Sequence, residues 1–105
     1  DGLENKYLQR LGISELLRRS IDSLSGGERQ ALALAEFMGN TADLLILDEP
    51  SSYLDQERAA VLKDYLKEVH LAGKTILHIT QYPAEIQWGT HLLDLNQGDV
   101  KVVRL

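Results

Sequence analysis

Leu3, Tyr7, Leu8 and Leu11 recur at the three- and four-residue spacing of one helix face. Gly12 follows and can stop that helix. Ile13 to Arg19 reads as a second short helical turn. A longer helix opens at Ser25-Gly26-Gly27-Glu28 and runs to about Phe37. Its apolar positions Ala31, Leu32, Leu34, Ala35 and Met38 predict a buried face. Gly39-Asn40 is expected to close it, since both residues tolerate a left-handed cap. Leu44 to Leu47 is aliphatic without alternation, the pattern of a parallel strand covered on both faces. Pro50 ends that run. Gln56 to Leu71 predicts a helix with Ala60, Leu62, Leu66 and Val69 among its core candidates. Past the turn Ala72-Gly73-Lys74, Thr75 to Thr80 predicts a second strand and Ala84 to Gln87 a short helix. His91 to Leu95 and Val100 to Leu105 predict two more strands around Asn96-Gln97-Gly98-Asp99, whose turn chemistry fits a hairpin.

Strand, helix, strand is a βαβ unit, and its crossover is expected to be right-handed. The chain thus reads as α/β, with a helical segment over residues 1–40 and an α/β segment with a mostly parallel sheet over 41–105. So small a parallel sheet should present an edge or face that awaits further strands. No internal repeat, low-complexity tract or flexible linker interrupts it.

The length, 105 residues, suits one small domain. Such a chain buries roughly 60–70% of its unfolded surface, enough for a real core with a modest margin. The net charge of −5 argues against nonspecific nucleic-acid or anionic-membrane binding, so no direct nucleic-acid partner is expected. The absence of cysteine removes disulfides and thiolate metal sites, and fits a reducing compartment. No apolar run approaches the roughly 20 residues that span a bilayer. Asp1-Gly2-Leu3-Glu4 has neither signal-peptide character nor an initiator Met, so the chain is expected to start inside a longer parent.

Two places carry candidate chemistry. Ser25 precedes a helix whose first residues, Gly26 and Gly27, have no side chains to block close approach. The first helical N–H groups are unpaired and the dipole's positive end points outward, which suits a phosphate oxygen. Ser25 and Glu28 also form a capping-box pattern, which stabilises a helix with no ligand at all; spacing alone favours the cap. The second place is Asp48-Glu49, at the C-terminal end of the aliphatic run, where α/β sheets bind ligands. An Asp there can hold magnesium. The adjacent Glu, on the opposite side of the strand by alternation, can take a proton from an attacking water. An isolated Asp-Glu-Pro is also an ordinary acidic strand end, but four aliphatics lead straight into this one.

Together these residues resemble the ABC-type ATPases, the nucleotide-binding domains of ATP-binding-cassette transporters and their relatives. Leu24-Ser25-Gly26-Gly27-Glu28-Arg29-Gln30 resembles the signature motif, Leu44 to Glu49 the Walker B strand, and Ser51-Ser52-Tyr53-Leu54-Asp55 the D-loop. The order and intervals agree along nearly the whole chain. The resemblance implies a partial P-loop NTPase fold and ATP with Mg2+ as ligands. Ser25 and Gly27, with Gly26 and Glu28 beside them, would face the γ-phosphate of an ATP held by a second, head-to-tail ABC subunit. Asp48 would hold the magnesium, Glu49 would be the general base, and Asp55 would couple the two sites. Transmembrane transporter subunits, and so a cytoplasmic position at the inner face of the cell membrane, are implied as well.

Two departures stand out. Nowhere does the chain contain Gly-x-x-x-x-Gly-Lys-Ser/Thr, so the Walker A half is absent; in the family that loop, the adenine-stacking aromatic and the Q-loop lie upstream of the helical segment. The family's usual His after the next strand aligns with Gln81, which donates and accepts hydrogen bonds but cannot become cationic. His78, inside the strand, reads as a packed or surface residue rather than a substitute; His70 and His91 have no clustered partners. Tyr82 and Trp88 read as packing residues. Ile79 to Glu85 and Leu95 to Val100 look similar to cobalt/energy-coupling-factor import ATPases. Three readings remain: part of a transport ATPase, a split module that completes a partner's ATP site, and an ABC ATPase outside transport.

Overall fold

The computed structural model describes residues 2–95, 98 and 100–105. Helix α1 (Gly2–Arg10) ends before Gly12, whose φ of 69° reverses the chain so that the Ile13 N–H reaches the Leu8 carbonyl at 2.9 Å. Two short 3-10 helices, Ser14–Arg18 and Ile21–Ser23, lead to α2 (Gly26–Met38). The expected turn over Ile13 to Arg19 therefore winds tighter than α. Strand β1 (Leu44–Asp48), α3 (Gln56–Leu71) and β2 (Thr75–Ile79) make the βαβ unit, with β1 and β2 adjacent and parallel in the register Asp48↔Ile79. Helix α4 (Pro83–Ile86) is one turn long, with Pro83 fixing its start. Strands β3 (His91–Asp94) and β4 (Lys101–Arg104) pair antiparallel as expected. Of the turn between them, Asn96, Gln97 and Asp99 lie outside the described residues.

One buried cluster joins the expected segments 1–40 and 41–105. Leu8, Leu11, Leu34 and Met38 pack with Leu45 and Leu47 of β1 and with Leu62, Tyr65 and Leu66 of α3. Tyr65 donates to the Met38 carbonyl at 3.2 Å and meets Tyr7 edge-on at 5.6 Å between centroids. Ala60 is exposed, against expectation, because Leu62, Tyr65 and Leu66 already fill the inward face of α3. Gly39 also differs. Its backbone is right-handed (φ −76°), and α2 closes by tightening, with Gly39 N–H on Glu36 O and Asn40 N–H on Phe37 O. Asn40 then turns the chain by accepting the Ala42 N–H on its side chain at 2.8 Å.

The larger departure concerns β1, which is not covered on both faces. Burial alternates along it: Leu45 and Leu47 are 1% and 5% exposed, whereas Leu44 and Ile46 are 54% and 56% exposed. In the parallel register, Leu77 and Ile79 extend the same bare face. The helices pack on one side only. The expected open face is therefore real, apolar, and tipped by Asp48. Among the described residues no helix is long and apolar enough to cross a membrane.

Candidate functional site

The segment from Glu49 to Asp55 is the hub of the site. Asp48 ends β1 exposed, on the bare face. Glu49 follows with φ 47°, a left-handed conformation uncommon for a residue with a side chain. Its N–H donates to Ile79 O at 2.8 Å and its carbonyl accepts the Ser52 N–H at 3.1 Å. The two carboxylates are thus separated by a left-handed turn, not by strand alternation as expected, because the strand stops at Asp48. Such strain costs about 1–3 kcal/mol and persists where surroundings over-determine it. Gln81 is exposed just beyond β2, two residues past Asp48's partner Ile79. Asp48, Glu49 and Gln81 therefore share one end of the parallel pair.

The helix tip is the second half. Ser25 Oγ accepts the Glu28 N–H at 3.1 Å, and Glu28 Oε1 accepts the Ser25 N–H at 2.9 Å, so the capping box is complete. Glu28's other oxygen pairs with Arg19 at 3.2 Å. The Ser25 N–H first, and Arg19 after it, hold the Glu28 carboxyl below its ordinary value. Both oxygens are engaged within the chain, so Glu28 serves here as the cap of α2. The N–H groups of Gly26 and Gly27, in the first helical turn, have no partner within the helix.

The two glycines differ. A Cβ on Gly26 would meet nothing within 4 Å, whereas one on Gly27 would stand 2.7 Å from the Tyr53 carbonyl oxygen. Gly26 keeps the tip open; Gly27 admits the chain's own 51–55 loop. That loop is pinned again by Gln30, whose side-chain N–H donates to Pro50 O at 2.9 Å. Tyr53 is left-handed (φ 67°) and 80% exposed. Asp55 caps α3, accepting the Arg58 N–H at 2.8 Å. Sequence reasoning quoted Gln30 and Glu85 only as the last residues of motifs; it missed their contacts with Pro50 and Ser51, which lie 20 and 34 residues away.

The profile of the ABC transporter family matches residues 4–52. Energy-coupling factor transporter ATP-binding protein EcfA1 of Fusobacterium nucleatum is 34% identical, over 95% of this chain and 43% of that protein. The chain belongs to the ABC ATPase family. Macrolide export ATP-binding/permease protein MacB of Bradyrhizobium diazoefficiens is 31% identical, over 89% of this chain and 14% of that protein. A bacterial ABC transporter cassette solved as a dimer matches the fold with a TM-score of 0.84 at 23% identity, over 98% of this chain and 46% of the solved one. The fold of this ABC ATPase chain is therefore part of the P-loop cassette fold, and the chain spans less than half the length of these relatives.

The residues fit the ligands of that family in part. Among the described residues no three His, Cys, Asp or Glu side chains gather around a metal position. One exposed carboxylate, Asp48, suits Mg2+, which commonly takes one or two carboxylates and completes its shell with water and substrate phosphates. The open tip at Gly26 suits a phosphate oxygen. His78 is no substitute for the missing His: it lies on the packed side, its Nε2 3.1 Å from Glu85 Oε1 and its ring 5.6 Å from that of Trp88.

Proposed function

We propose that this chain is the C-terminal part of an ABC transporter's ATP-binding subunit and supplies the hydrolytic edge of its ATP site. The observation that carries this reading is the exposed Asp48 followed by a left-handed Glu49, both set beside Gln81 at the end of the parallel pair. In the complete subunit Asp48 holds Mg2+, whose charge offsets that of the phosphates. A Glu49 carboxylate oxygen accepts the proton of the attacking water, and Gln81 orients the γ-phosphate by hydrogen bonding. The bare face of Leu44, Ile46, Leu77 and Ile79 is where the remainder of the cassette, with its Walker A loop, packs. Residues 1–40 end the helical subdomain and 41–105 belong to the ATPase core.

Ser25 and the Gly26 and Gly27 N–H groups face the γ-phosphate of a nucleotide held by a second subunit, head to tail, and Asp55 lies at that junction. Transmembrane subunits hold the pair at the inner face of the membrane. The similarity to EcfA1 supports an energy-coupling-factor type of transporter. In the complete subunit, Glu49→Gln abolishes ATP turnover while ATP binding and dimerisation persist; turnover retained in that variant rejects Glu49 as the base.

A further inference from the structure

We infer that Glu85 is a positioning residue for hydrolysis: its buried carboxylate clamps the segment that carries Glu49 to the segment that carries Gln81. The inference rests on the ATPase reading above and adds a residue to it. Glu85, on the single turn of α4, is 8% exposed. Among the described residues no Lys or Arg pairs with it. Its oxygens instead accept two hydroxyls, Ser51 Oγ at 2.5 Å and Thr80 Oγ1 at 3.1 Å. Ser51 is two residues past Glu49, and Thr80 immediately precedes Gln81. His78 Nε2 lies 3.1 Å from the same carboxylate without hydrogen-bond alignment. Thr80 Oγ1 also accepts the Tyr82 N–H at 3.0 Å, fixing the bend on which Gln81 sits.

A carboxylate is an acceptor only, and burial away from cations disfavours it unless donors surround it. An apolar residue would fill the same space without that cost. What the carboxylate adds is a fixed link between two loops that are 34 residues apart in the chain at Ser51 and Glu85. Glu49 keeps its left-handed backbone only while the residues after it hold their turn. Glu85 acts on that turn through Ser51 and on Gln81 through Thr80. It touches no reacting atom itself.

The test uses the complete ATP-binding subunit, with kcat, KM for ATP and unfolding temperature measured for Glu85→Gln, Ser51→Ala, Thr80→Val and Thr80→Ser, and Glu49→Gln as reference. Misplacing a catalytic group by a fraction of its reach lowers kcat by about tenfold or more. That loss is expected in Glu85→Gln and Ser51→Ala, with KM within about threefold because Gln81 supplies only one of the contacts that hold the bound nucleotide. Thr80→Val shows the same loss and Thr80→Ser, which keeps the hydroxyl, recovers it. If Glu85→Gln fails to fold, Ser51→Ala and the Thr80 pair decide. Wild-type kcat in Ser51→Ala, or no recovery by Thr80→Ser, overturns the positioning role alone. Absence of ATP turnover in the wild-type subunit overturns the ATPase reading and this role with it.

Discussion

Gly27→Ala tests how the helix tip meets the loop beyond β1. The added Cβ would stand 2.7 Å from Tyr53 O, so the two must part by about 0.7 Å to reach ordinary contact near 3.4 Å. The obstacle is backbone, not a flexible side chain. It belongs to a left-handed residue whose neighbours are tied by the Leu54 N–H on Ser51 O at 3.0 Å and by Gln30 on Pro50 O. Forcing such a shift costs about 1–3 kcal/mol. Alanine's helix preference over glycine offsets at most about 1 kcal/mol of that. Gly26→Ala is the control, since its Cβ meets nothing within 4 Å. In a complete subunit of roughly 150–250 residues, each kcal/mol moves the unfolding temperature by about 2–4 °C. Gly26→Ala shares alanine's helix preference, so Gly27→Ala should melt about 2–12 °C below it, measured without nucleotide so that binding makes no contribution. Equal melting of the two variants sinks the close approach to Tyr53.

Two further predictions concern single groups and pH. Glu28 has a folded pKa below its ordinary 4.5, so the stability its charge lends the cap is present above pH 4.5 and is lost as pH falls through the lowered value. The gap in unfolding temperature between wild type and Glu28→Gln should close in acid; a constant gap from neutral pH to about pH 3 rejects the charge argument. Burial pushes the Tyr65 phenol up from 10 to about 12, so its contribution is full below pH 10 and lost as pH rises toward 12. Tyr65→Phe strands the Met38 carbonyl, costs about 1 kcal/mol at neutral pH, and should converge on wild type across that alkaline window; parallel pH curves refute it.

Local signals in the sequence read well where a residue's partner is a near neighbour. Ser25 with Glu28 marks the start of α2, and the helix over Gln56 to Leu71 was legible to the residue. Reading failed where the partner is distant or the environment is incomplete. The Leu44 to Leu47 run predicts two covered faces because its composition answers to a sheet larger than the two parallel strands present. The Ser51–Glu85 link is invisible in the sequence because the two lie 34 residues apart and only the fold brings them together. Gly39 can adopt a left-handed cap, but Asn40's side chain offers the chain a turn that needs none.

The two faces of the parallel pair divide the work by parity. Asp48 and Ile79 belong to the face that is bare, and Leu47 and His78 to the face that is packed. Chemistry needs access, so a metal-holding carboxylate has to stand on the first. Geometry needs rigidity, so the hydroxyls and carboxylate that hold the loops have to stand on the second, where water cannot compete for their hydrogen bonds. Glu49 can serve both only by leaving the strand, and the left-handed turn is how it does so. A substitution that restored regular strand geometry at Glu49 would send its carboxylate toward the packed side. On the proposed role of Glu49 as the base, it would relax the backbone and disable the site together, so a more stable variant with less turnover is the expected outcome.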